Sequence, residues 1–445
     1  MTHVKKNPLA NNFHALSLIK FAFPSMLMML FMGLYTITDT IFVARFVDTN
    51  ALSAINIVCP VINIIVGLGT MLATGGSAIV ATKIGSQKIM EARSNFTLLI
   101  ISGVIIGLFI TLIGFLFMEQ IIWGLGASSI LFPYCKDYLT IQLVFVVANM
   151  LQILYQNLFV TAGKPTVGLI LSVSAGFANI FFDYIFIVLL QMGIKGAALG
   201  TSIGYMIPSI AGTLFFLTGK SELHFCKPQM DYFMILKSCS NGASEMVSQL
   251  STALTTFLFN ITMMRLLGEN GVSAITVIIY SQFLLTTIYI GFSMGVAPII
   301  SYNYGSKNTE QLKKVICICF YFIMIVSIFV FLLSFAAGEN IAWVFAKNNK
   351  KVFEITKTGF PIFSFSFLFS GCNIFTSALF TALSNGKVSA LISFLRTFGF
   401  ITIFLLLLPR LFQVIGVWLA IPLAELLTVT LTIYFICKHR KYYFL

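Results

Sequence analysis

Long apolar runs, bare of charge, recur along this sequence and decide the solvent it folds in. Val104–Leu116 and Val315–Ala337 contain no ionisable acid or base, and Ile185–Leu190 and Phe398–Leu408 become as long once their flanks are included. A helix crossing a bilayer needs about 20 such residues. Only 9% of the 445 residues are charged and 58% are hydrophobic, whereas a soluble domain carries roughly 25% charged residues. So few charges cannot coat a water-facing surface. The alternating ten-residue segments of a membrane β-barrel are missing. The pattern predicts an all-α membrane protein with twelve transmembrane helices, near 14–46, 51–81, 94–118, 132–160, 166–190, 195–218, 236–264, 271–300, 313–335, 353–382, 388–408 and 413–437.

The net charge of +13 would suggest nucleic acid in a soluble protein. Here the excess of Lys and Arg in cytoplasmic loops explains it, and no nucleic-acid partner is expected. With the N-terminus inside, seventeen of the 27 basic residues fall on the inner side, among them Lys5, Lys6, Lys220 and Lys441. Nine fall outside, among them Lys347, and Arg396 lies within a span. Both termini are therefore expected in the cytoplasm of a multi-pass inner (cytoplasmic) membrane protein. No cleavable signal peptide is evident, because Met1–Lys20 is mostly polar and the first apolar run is too long. The eight cysteines are scattered, mostly inside spans, and Cys317 and Cys319 are too close to make a zinc pair alone. Packing is their expected role, with no disulfide and no structural metal.

The chain repeats itself. Shifted by 220, residues 33–93 fall on 253–313 without a gap and share twelve identities, including Arg45 with Arg265, Gly75 with Gly295, and Gly85-Ser86 with Gly305-Ser306. The same shift pairs Gly196 with Gly416 and Leu199 with Leu419. Six spans per half keep both halves in one orientation, so an axis along the membrane normal should relate them, with a central cavity between. The expected bundles are 1–219 and 238–445, joined by a cytoplasmic linker at 220–237. Such a layout suits transport by two rocking halves, although duplication can also build a passive scaffold.

Acidic residues inside spans are the most informative positions, because a lone carboxylate at the bilayer centre costs several kcal/mol and usually faces a cavity and a partner. Asp39 lies in the first span, four residues after Tyr35 and fifteen after Pro24, a proline that can kink the helix. Asp183 ends a stripe of Ser172, Gly176 and Asn179 on one face of the fifth. Neither acid recurs in the second half, where the shift places Phe259 and Ile403. Each can couple an ion or simply hydrogen-bond a neighbouring helix. Glu245 opens the seventh span and can equally be a charge favoured by the helix dipole. Glu425 can pair with Arg396. Polar stripes in the fourth span (Tyr138, Gln142, Asn149, Gln152, Gln156) and the seventh (Glu245, Gln249, Thr252, Thr256, Asn260), with Gln282 in the eighth, can line a cavity or join helices. Met32 and its neighbouring methionines suit a pliable pocket or plain packing.

Taken together, these residues resemble the multidrug and toxic compound extrusion (MATE) family, and within it the MepA-like bacterial branch. The resemblance covers essentially the whole chain. It rests on Pro24 with Asp39, Thr49-Asn50-Ala51-Leu52-Ser53-Ala54, Gly85-Ser86, Asn179-Ile180-Phe181-Phe182-Asp183, Gly268-Glu269-Asn270-Gly271 and Tyr302-Asn303-Tyr304-Gly305-Ser306. It implies an ion-driven antiporter, not an enzyme, that exports amphipathic, often cationic drugs and toxins by alternating access, as a monomer among membrane lipids. It implies H+ or Na+ as coupling ion, no cofactor, and ion coupling by Asp39, Asp183 and Asn179, with Thr201 nearby. Pro24 is the expected hinge. Tyr35, Met32, Gln142, Gln152, Gln156, Glu245, Gln249, Asn260 and Gln282 are the candidate cavity residues. Other branches carry an acid deeper in the seventh span, where this chain has Gln249.

The expected cycle begins with both acids hydrated and charged. Taking up a proton or cation lowers the cost of burying them and lets the first helix bend near Pro24, expelling substrate. Each charge moving in across 100 mV supplies roughly 2.3 kcal/mol. A lipid-linked saccharide flippase of related fold would need several cavity Arg or Lys residues for pyrophosphate, and only Arg396 lies deep in a span. An intramembrane aspartyl protease would need signatures other than Thr38-Asp39 and Phe182-Asp183. No Gly-x-x-x-x-Gly-Lys-Ser/Thr occurs, so ATP is not the expected driver.

Overall fold

The computed structural model describes residues 7–219, 221–346 and 349–444. Lys5, Lys6, Lys220 and Lys347, and the side chain of Lys441, lie outside the described residues, as does the first residue of the expected linker. Among the described residues the chain is helical without a strand. Ten spans run as α1 (Ala15–Phe46), α2 (Thr49–Gly85), α3 (Ile89–Leu116), α4 (Phe132–Val144 with Val146–Thr161), α5 (Pro165–Asp183, continuing through a wide turn at Tyr184–Leu189), α6 (Ile194–Leu217), α7 (Ala243–Leu267), α8 (Glu269–Gly305), α9 (Thr309–Ala346) and α10 (Lys350–Ser364 with Phe367–Ala382). The last stretch, from Gly386 onward, breaks at Gln413 (φ 50°, ψ −125°) into α11 (386–412) and α12 (414–444). That break supplies the twelfth span.

The fourth and tenth spans differ from the straight helices expected over 132–160 and 353–382. They bend by 54° and 55°, at Phe145 and Phe365, positions related by the same 220 shift. At the α4 bend Leu143 O accepts from the Phe145 N–H and from the Thr111 hydroxyl of α3 at 2.7 Å. In α10 Pro361 has already removed one backbone donor, and the Tyr289 hydroxyl of α8 donates to Phe367 O at 3.2 Å. Both kinks are thus held by a side chain entering the ladder.

Small residues decide which face of a helix turns inward. On α3, a Cβ at Gly103, Gly107 or Gly114 would meet Leu154, Val147 or Leu143 of α4. On its far side Ile105, Leu108, Phe109 and Leu112 are exposed, as lipid-facing residues should be.

The repeat is visible as a two-fold relation in the packing. A Cβ on Gly85 would lie 2.1 Å from Tyr302 O, and one on Gly305 would lie 2.1 Å from Thr82 O. Both pairs exchange under the 220 shift, as a self-complementary contact must. The same holds for Gly75 against Gly242 and Gly295 against Ala22. Gln87 and Lys307, also 220 apart, both take left-handed backbone (φ 63° and 57°) in the turns that follow. These close approaches, with Gly291 on Met26, seal α1, α2, α7 and α8 together at the end where α2 and α8 finish. Toward the other end the repeat pair Leu34 and Leu254 is exposed, with Thr36, Asn56, Cys59 and Thr252. Exposed faces of α1, α2 and α7 therefore lie at that end.

Candidate functional site

Inside the N-terminal half, α1, α5 and α6 bring the two acids face to face. Asp183, the last residue before α5 widens, is fully buried, and neither of its carboxyl oxygens has a hydrogen-bond partner. Asp39 Oδ1 is also buried without one. The two carboxyls are each other's charged neighbours. Among the described residues no Lys or Arg pairs with either. Wide π-type turns such as Tyr184–Leu189 recur at functional sites because they re-aim one side chain within a helix.

The close packing that creates this site rests on glycine. A Cβ on Gly200 of α6 would sit 2.0 Å from Asp183 Oδ1, and one on Gly176 would sit 3.0 Å from the Tyr35 ring. Asn179 does not hydrogen-bond Asp183. Its Nδ2 donates to Thr201 Oγ1 at 3.5 Å, while its Oδ1 is buried and unpartnered. Thr201 in turn donates to Ala197 O at 3.0 Å. Tyr35, Ala175, Asn179, Thr201, Gly204 and Tyr205 enclose a cavity of about 10 Å³, room for one water.

Three tyrosines close the surroundings: Tyr35 beside Gln152 and Asp39, Tyr138 beside Gln142 and both acids, and Tyr205 beside Tyr35, Tyr138 and Asp39. Gln156 donates to Ser172 Oγ at 3.1 Å and to Met32 Sδ at 3.4 Å. The structure therefore gathers Asp39, Asp183, Asn179, Thr201, Tyr35, Met32, Gln142, Gln152 and Gln156 within one half. Tyr205 and Gly200 were not anticipated. Their signal is the run Gly196, Gly200, Gly204 at helical spacing with Tyr205 four residues after Thr201.

The C-terminal candidates are not joined to this group by any hydrogen bond among the described residues. Gln249 packs against α2, its Cβ 3.3 Å from where a Cβ on Gly67 would lie. Asn260 has a buried, unpartnered Oδ1, and Gln282 is half-buried on α8. Glu245 has Arg396 as its nearby charge, without an ion pair between them. Glu425 and Arg396 form the expected ion pair at 2.9 Å. Pro24 sits inside α1, which runs through it as one helix.

Chemically, the N-terminal site offers two carboxyls and a free amide oxygen, with no basic residue among the described ones paired to either carboxyl. Such a hard oxygen set suits a proton or a small hard cation, and two adjacent carboxylates cannot both stay charged without one.

The fold and this site define a two-lobed, twelve-helix membrane protein with a polar centre in one lobe. The MatE family profile matches the chain twice, over residues 24–185 and 245–408, and the chain belongs to that family. The two matches lie one repeat apart. The multidrug export protein MepA of Staphylococcus haemolyticus is 24% identical over 436 residues, spanning 96% of this chain and 94% of that one. A MATE crystal structure in the straight conformation superposes with a TM-score of 0.91 at 19% identity, covering 97% of each chain. An outward-facing multidrug resistance MATE transporter gives 0.90 at 20% identity, again over 97% of each chain.

Proposed function

We propose that this protein is a cation-coupled multidrug exporter, driven by H+ or Na+ and working by alternating access. Asp39 and Asp183 are its coupling groups. The single observation that carries this reading is the pair of facing carboxyls, Asp183 buried and Asp39 half-buried, with no base paired to them among the described residues. A resident positive charge would make such a pair structural. Its absence among the described residues leaves a demand for a proton or cation from solution.

In this mechanism the end away from the seal faces outward, the glycine seal lies at the cytoplasmic end, and both termini are cytoplasmic. Entry of one cation compensates the pair, so the lobe can contract around it with less desolvation cost. Asn179 and Thr201 hold the orientation of α5 on α6, and the free Asn179 oxygen completes the ligand set. Contraction of α1 against α5, with a bend at Pro24, expels substrate from the tyrosine- and glutamine-lined space. Substrates are amphipathic organic cations, suited to aromatic faces and a nearby negative charge. Arg396 is tied to Glu425 and offers no cluster of bases for a pyrophosphate, which argues against a lipid-linked saccharide flippase. The testing experiment is resistance of cells expressing Asp39→Asn to ethidium. At parental expression, resistance should drop to that of cells without the protein. Undiminished resistance removes Asp39 from the mechanism.

A further inference from the structure

The C-terminal half holds a second buried polar centre. Arg396 of α11 donates from Nε to Glu425 Oε1 of α12 at 2.9 Å, and the two side chains are 17% and 4% exposed. Asn373 of α10 donates its Nδ2 to Glu425 Oε2 at 2.6 Å and to Glu425 O at 2.9 Å. Thr432 donates to Asn373 Oδ1 at 3.5 Å. Glu245 of α7 lies within electrostatic range of the guanidinium. Among the described residues the Glu245 carboxyl makes no ion pair.

The repeat gives this centre its meaning. The 220 shift carries Glu425 onto Tyr205. It carries Arg396 onto Gly176 or, because the bend of α10 holds one residue more (Phe365 and Ser366) than that of α4 (Phe145), onto Ala175. Tyr205 and Ala175 line the N-terminal cavity, and Gly176 lies against Tyr35. Equivalent places in the two lobes therefore hold opposite solutions to one problem. One lobe has two acids and a small space; the other has two acids and a guanidinium fixed to the chain.

We infer that Arg396 is a tethered cation that occupies the C-terminal lobe's polar centre permanently, so that this lobe takes up no cation from solution and exchange is confined to the Asp39–Asp183 lobe. A buried carboxylate needs a compensating charge and filled hydrogen-bond sites. A counter-ion on the same chain is already held beside Glu425 and meets that need without capture from solution. The confinement of exchange rests on the acid-pair reading above; the occupancy of the centre by Arg396 does not.

Arg396→Gly tests it, because it empties a guanidinium-shaped space beside Glu425. The purified variant is followed in proteoliposomes for ethidium export and in detergent for thermal stability, with millimolar guanidinium chloride, sodium chloride or urea. We expect export to fall about tenfold or more when one partner of this buried pair is removed. Guanidinium should recover both export and melting temperature, urea should recover neither, and the parent should respond to neither. Arg396→Leu/Glu425→Leu, which removes both charges, should show no guanidinium response. Absence of a guanidinium response in Arg396→Gly, whether the variant is fully active or inactive, overturns the inference, as does an equal response in the double variant. The melting shift reads the C-terminal centre alone, so it stands or fails apart from Asp39 and Asp183.

Discussion

Gly200→Ala is the substitution whose consequence the packing fixes most sharply. A methyl there lies 2.0 Å from Asp183 Oδ1, 3.0 Å from its Cγ and 3.2 Å from its backbone N. Ordinary contact begins near 3.4 Å, so the carboxyl must move by more than an ångström or α6 must back away. Asp183 is fully buried and does not line the 10 Å³ cavity, so overpacking should cost about 1–3 kcal/mol. The carboxyl is pushed from α6 toward Asp39, where the geometry of the ion site is set. Gly204→Ala, one turn along, is the control, since its methyl would meet Ala175 O and Asn179 Cβ only at 3.4 Å. Thermal unfolding in detergent should show Gly200→Ala several degrees below Gly204→Ala. Ethidium export should fall about tenfold, the equivalent of 1.4 kcal/mol in the coupling equilibrium. Indistinguishable behaviour of the two alanines would refute the claim that Gly200 shapes the ion site.

Three further outcomes follow from other parts of the molecule. Gly85→Ala and Gly305→Ala should impair the seal to a similar degree, because each methyl would meet a backbone carbonyl at 2.1 Å; labelling of cysteines placed just inside the seal should rise in both. Thr111→Val should lower stability by about 0.5–1.5 kcal/mol by removing one of the hydrogen bonds on the Leu143 carbonyl at the α4 bend, measured as the melting shift. In the segment after α6, burial raises the Glu222 carboxyl above its usual range, opposed by the Asn7 amide at 2.6 Å and by Arg93. A raised folded-state value means the folded chain binds more protons, so stability falls as pH rises from the ordinary Glu value through the raised one. Glu222→Gln should flatten that slope in melting curves taken across this window.

The span count and the pseudo-symmetry were legible in the sequence because lipid imposes length and charge rules that a single chain displays openly. The repeat predicted from Gly85-Ser86 and Gly305-Ser306 became a reciprocal backbone contact. The bends at Phe145 and Phe365 were hidden, since their hydrophobic patterns run straight through and the stabilising hydroxyls come from other helices. Charged residues inside spans pointed to Asp39, Asp183 and the Arg396–Glu425 pair, because burying charge is costly enough to mark itself. The stripe put Asn179 on the face of Asp183, yet helix spacing alone does not tell which way an amide turns, and its Nδ2 donates to Thr201. Gly200 and Tyr205 escaped notice for a related reason: their importance lies in how closely α6 approaches α5, a distance that no spacing encodes.

The account turns on whether the N-terminal acid pair transmits an ion gradient to the substrate. The direct measurement is ethidium export into everted vesicles with a pH gradient and a sodium gradient imposed separately, for the parent, Asp39→Asn and Asp183→Asn at matched expression. One of the two gradients should accelerate export by the parent, and neither should accelerate export by the variants. Gradient-stimulated export that persists in both variants would contradict the assignment of coupling to this pair.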